Sequence, residues 1–200
     1  MTRANLPLED SAIAATRAWV DQAVIGLNLC PFAKAPQVKG QVRYALSVAT
    51  SPMALRDDLV TELQRLNSAS AEDIETTLLV HPEALLDFDE YNDFLDVADA
   101  ALQALGLEGV LQIASFHPHY RFAGTAHDDL GNATNRSPFP TLHLLREDSI
   151  DRAVDAFPQA DTIFEQNIAT MAALGPEAWA ALQRRCLAAG STGDADGPDV

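Results

Sequence analysis

The sequence predicts an α/β fold: a mixed sheet of about four strands, the first three parallel, packed with helices and extended by extra C-terminal helices. Three observations lead there. Short apolar runs alternate with longer stretches of helical periodicity, the pattern of strand-helix-strand units. Two of the short runs end in the same dipeptide, at His81-Pro82 and His117-Pro118. The alternation then stops at a long irregular segment, Ser115 to Pro138, which separates the third short run from the fourth.

The elements follow in order. A first helix is expected from about Ser11 to Ile25, with Ser11 as its cap and Ile13, Thr16, Val20, Ala23 and Leu27 near one stripe. The segment Gly26 to Ala33 breaks it. Val42 to Val48 reads as the first strand. Ser51-Pro52 combines a capping hydroxyl with a proline at the first helical position, and Leu55, Leu59, Leu63 and Leu66 form the stripe of the helix it opens. Glu75 to Val80 is the second strand. Asp87 with Glu90 resembles a capping box, ahead of a helix carrying Tyr91, Phe94, Leu95, Ala98, Leu102 and Leu105 and closed by Gly106. Gly109 to Phe116 and Phe139 to Leu145 are the third and fourth strands. Helices follow at about Asp148 to Ala156, Asp161 to Leu174 and Pro176 to Leu187. Right-handed crossovers make the first three strands parallel. One domain spans residues 1–187, and the Gly/Asp-rich tail 188–200 is expected to be disordered.

Composition narrows the function. The chain has 200 residues and a net charge of −16, with only 13 cations. A nucleic-acid binder needs a cationic footprint, so nucleic acid is not an expected partner. No window is apolar enough to span a membrane and no secretion signal is visible, so the membrane is not a partner either. Two cysteines, Cys30 and Cys186, far apart in sequence, point to a reduced, cytoplasmic protein.

The chemistry concentrates in the irregular segment. It holds three of the five histidines, His117, His119 and His127, together with Arg121 and Arg136. If the second and third strands are parallel, His81 and His117 leave the sheet at one edge, where open α/β sheets bind ligands. His117 and His119 lie two residues apart and share a face on an extended backbone. Three uses compete. His81, His117 and His119 are candidate ligands of a divalent metal such as zinc. Alternatively, Arg121 and Arg136 grip a phosphate or carboxylate with His117 or His119 as general acid/base, His81 orienting the reacting group, and Asn132, Asn135 and Thr125 as neutral partners. The third use is structural, in which these side chains bond the buried carbonyls of a long loop. Cys30 is a candidate nucleophile, but it follows a helix C-terminus, whose partial negative charge opposes a thiolate. His143 alternates with Leu142 and Leu144 and reads as an interior histidine. No nucleophile elbow, P-loop or dinucleotide fingerprint is present, so no nucleotide cofactor is expected and the cofactor is open.

Four blocks are distinctive: Gly26 to Ala33 (GLNLCPFA), Glu75 to Pro82 (ETTLLVHP), Gln112 to Thr125 (QIASFHPHYRFAGT) and Asn135 to Asp148 (NRSPFPTLHLLRED). Together they resemble an uncharacterised bacterial family, the domain of unknown function numbered 1415. The resemblance covers about Ser11 to Ala156. It implies a bacterial cytosolic protein of one domain and supplies no reaction. The expectation is therefore a small-molecule enzyme, a hydrolase or group transferase acting on a phosphate- or carboxylate-bearing substrate. The alternatives are a His-ligated metalloprotein and a non-catalytic binding or assembly module.

Overall fold

The computed structural model describes residues 8–157 and 162–191. Helix α1 (Leu8–Trp19) runs straight into a π-helical turn, Val20–Ile25. A short helix α2 (Lys34–Val38) precedes strand β1 (Val42–Leu46). Then come α3 (Pro52–Ser68), β2 (Thr76–Val80), α4 (Phe88–Ala104) and β3 (Leu111–Phe116). A 3-10 segment, Leu130–Asn135, leads into β4 (Thr141–Arg146). Helices α5 (Glu147–Ala156), α6 (Ile163–Leu174) and α7 (Pro176–Ala189) close the described chain.

Local chemistry explains the two central helices. The Ser51 hydroxyl accepts from the Ala54 amide at the start of α3, with Pro52 at the first helical position. The Asp87 carboxylate accepts from the amides of Asp89 and Glu90 at the start of α4. The α3 stripe of Leu55, Leu59, Leu63 and Leu66 is completely buried.

The strand order is β1-β2-β4-β3. Strands β1, β2 and β3 run in one direction, but parallel pairing is confined to β1 with β2. Strand β4 inserts antiparallel between β2 and β3, pairing with both. The long loop after β3 returns the chain to the edge it has just left, so the strand that follows must run the other way. The sheet lies between two helical layers. On one face Ala45, Leu79, Leu111, Leu142 and Leu144 pack with α3 and α4. On the other, Val42, Tyr44, Leu78 and Phe116 pack with α1, its π-helical turn, α6 and α7.

Two expectations at the ends change. Helix α1 already includes Leu8, so Ser11 lies inside it rather than capping it. Helix α7 continues through Ala189, into the tail expected to be disordered, and Gly190 is buried where a Cβ would overlap the carbonyl oxygen of Ser11. Residues 192–200 lie outside the described residues.

Candidate functional site

The site begins where the strands end. Thr141, the first residue of β4, pairs with Val80 on one side and Phe116 on the other. His81 and His117 therefore step off the sheet together, flanking Pro140. The His81 amide donates to the Pro140 carbonyl (3.0 Å) and the His117 amide to the Asn135 carbonyl (3.2 Å). Both side chains turn to the α3/α4 face, the same side as Leu79 and Leu111.

Tyr91 of α4 packs against both imidazoles, its ring centroid 5.8 Å from that of His81 and 5.0 Å from that of His117. The Tyr91 hydroxyl donates to the Thr141 carbonyl (2.9 Å) and accepts from the Phe116 amide (3.1 Å), tying α4 to the ends of β3 and β4. Burial pushes the Tyr91 hydroxyl far above its usual range, so it stays protonated.

Each buried imidazole holds one carbonyl of the turn that leads into α4. His81 Nδ1 donates to the Ala84 carbonyl (3.0 Å) and His117 Nε2 to the Leu85 carbonyl (3.2 Å). A carbonyl only accepts, so these bonds fix both tautomers. Leu85 occupies the left-handed region at φ 53°, a strained conformation for a branched residue. The second nitrogen of His117, Nδ1, accepts from the amide of His119 (3.0 Å). Both rings are fully buried, and desolvation pushes each down to about 4, so both are neutral at pH 7.

Both nitrogens of His117, a candidate acid/base from the sequence, are engaged with backbone groups. Toward a metal shared by His81, His117 and His119, both nitrogens of His117 and Nδ1 of His81 are already engaged with backbone groups. Among the described residues no group of three or more His, Cys, Asp or Glu side chains is placed to hold a metal ion.

His119 and Arg121 do reach a common space. With His127 and the segment Leu86 to Asp89 they line an open cleft of about 250 Å³ beside the N-terminus of α4. The Arg121 guanidinium approaches the Asp89 carboxylate at 3.5 Å, the arginine half-exposed and the aspartate mostly exposed. Phe88 backs the cleft and packs edge-on against Tyr120, which packs against Phe122 and then Phe164 of α6. This aromatic row supports the loop that carries His119 and Arg121.

The remaining candidates hold the loop's shape. Arg136 donates through Nε to the Tyr120 carbonyl (3.1 Å) and through Nη2 to the His127 carbonyl (2.6 Å). Burial lowers its pKa. Asn132 is fully buried; its Oδ1 accepts from the Phe122 amide and the Thr125 hydroxyl, and its Nδ2 donates to the Ala126 carbonyl. Asn135 donates to the Ser115 carbonyl. These are the structural bonds that a long loop requires.

Cys30 belongs to the other helical layer. Its neighbour Leu29 packs with Trp19 and Leu78, and the Leu29 carbonyl accepts from Asn167 of α6 (2.8 Å). Burial pushes the thiol up and outweighs two backbone amides, Phe32 and Ala33, that favour the thiolate. His143 is also interior. Its Nε2 lies 2.7 Å from the Thr76 hydroxyl, which itself donates to the Leu144 carbonyl, so the imidazole is the donor. Burial pushes His143 down to about 4.

The cleft residues missed from sequence are Leu86, Asp87, Phe88, Asp89 and His127. Asp87 reads from sequence only as a helix cap, yet it follows His81-Pro82 at a strand's carboxyl end, and that position was the available signal. Among the described residues no helix is long and apolar enough to cross a membrane. No curated protein and no solved structure matches the chain. A family model described as a protein of unknown function, DUF1415, matches residues 11–181, and the chain belongs to that family.

Proposed function

We propose that the protein is a small-molecule enzyme, a hydrolase or group transferase, acting in the cleft between the α4 N-terminus and the loop after β3. The observation that carries this reading is the placement of His119 and Arg121 together on that cleft. Arg121 binds a carboxylate or phosphate group of the substrate through its forked donors. His119 is the general acid/base; its ring is exposed on the cleft while its amide is anchored on His117. It takes a proton from the attacking nucleophile and returns one to the leaving group. His81 and His117 act behind it, holding the turn that forms the opposite wall. The two unpaired cysteines suit a reducing, cytoplasmic setting, and the charge of −16 argues against a nucleic-acid substrate.

Calorimetric titration with small carboxylates and inorganic phosphate tests the anchor. Arg121→Ala is expected to weaken binding of the preferred anion at least tenfold, with the thermal midpoint unchanged because the side chain is half-exposed. Equal affinity in the two proteins removes Arg121 from the site.

A further inference from the structure

The charge pattern of this cleft is not that of a simple anion site. Arg121 is its one permanent cation, and two carboxylates, Asp87 and Asp89, line the same space. Asp89 is not committed to the arginine. Its side chain is 79% exposed and the 3.5 Å approach is well beyond the 2.7–2.9 Å of a firm charge-assisted bond. Asp87 uses one oxygen, Oδ1, to cap α4. A free phosphate on Arg121 would therefore lie beside two like charges. A ligand that brings its own cation next to its anion would meet an opposite charge on both sides.

The cleft's size and lining restrict the ligand further. Its volume, about 250 Å³, is below the ~300–1,000 Å³ of pockets for drug-sized ligands. Leu86 and Phe88 add an apolar surface, with Leu86 58% exposed to whatever enters. We propose that the cleft takes a small zwitterion of amino-acid type. The ligand's carboxylate sits on the Arg121 fork and its ammonium between Asp87 and Asp89, with a short apolar side chain over Leu86 and Phe88. An ammonium has three N–H donors and no acceptor, so it pairs with carboxylates and not with Arg121. The charge order fixes the ligand's direction in the cleft. The inference rests on Arg121 being the anion anchor, as proposed above.

The test is calorimetric titration of the full chain with matched probes: norleucine, hexanoate, hexylamine and inorganic phosphate. Norleucine is expected to bind at least tenfold more tightly than either hexanoate or hexylamine. Asp89→Asn is expected to weaken norleucine at least fivefold and leave hexanoate unchanged or tighter. Both Asp89→Asn and Arg121→Ala are surface changes, and circular dichroism confirms that each variant is folded. If hexanoate or phosphate binds as tightly as norleucine and loses affinity in Arg121→Ala, the zwitterion is overturned and the anion anchor stands. If hexylamine binds as tightly as norleucine, or no probe binds, both readings fall.

Discussion

A histidine shut away from water that donates to a carbonyl is a neutral hydrogen-bond donor, and both His81 and His117 meet that description. Protonating His81 at Nε2 would place a charge on a buried nitrogen that has no partner. Protonating His117 at Nδ1 would turn the acceptor of the His119 amide into a second donor and break that bond. Both rings are pushed down to about 4 from an ordinary 6.5, so between these values the unfolded chain binds more protons than the folded one. Stability is then complete above about pH 6.5 and falls as the pH drops toward 4. For His81 the full effect is on the order of 3 kcal/mol, at about 1.4 kcal/mol per unit. Urea unfolding at pH 7 and pH 5 measures it. The wild-type midpoint is expected to fall markedly over that interval, and the fall is expected to be smaller in His81→Phe, which cannot protonate. Equal losses in the two proteins would mean that His81 does not contribute to the pH dependence.

At the scale of elements, the turn between β2 and α4 links the buried histidines to the cleft. The two imidazoles keep Leu85 in its left-handed conformation, the Asp87 cap starts α4, and the four residues from Leu86 to Asp89 become a wall. Much of this was legible. Periodicity and capping chemistry placed α3 and α4, because both helices begin on side-chain caps that local sequence determines. The π-helical turn after Trp19 and the five-residue helix α2 were not legible, since neither carries a cap bond from a side chain or a period long enough to read. The end of α7 was misread for a similar reason. A glycine after alanines looks like the start of a tail, yet Gly190 is there because α7 lies against α1 too closely for a side chain. Gly190→Ala forces Ser11 and α1 away from α7. Overpacking of this kind costs about 1–3 kcal/mol. The expected result is a lower thermal midpoint with unchanged ligand affinity, because the contact lies in the layer opposite the cleft. A midpoint within experimental error of wild type would show that the two helices separate freely at that end.

In the whole molecule, two apolar clusters share one four-stranded sheet, and that sharing decides how the chain unfolds. Leu79 and Leu111 face α3 and α4, while Leu78 and Phe116 on the same strands face α1 and α7. Alternation of side chains along each strand divides these strands between two cores. What the sequence did not carry was strand order. The position of β4 between β2 and β3 depends on a long loop whose path is set by Asn132, Arg136 and Asn135 bonding backbone groups that no local pattern announces. Neither cluster can persist if the sheet is lost, so the two should melt as one unit. The chain's two tryptophans, Trp19 and Trp179, both lie in the α1/α7 cluster and report on that layer alone. Leu59→Ala empties space in the other layer, where Leu59 is completely buried, and should cost about 2–5 kcal/mol. Tryptophan fluorescence should then shift to lower urea by the same amount as far-ultraviolet circular dichroism, although the substitution lies across the sheet from both indoles. A fluorescence transition that stays at the wild-type midpoint while the dichroism transition moves would show two layers folding independently on one sheet.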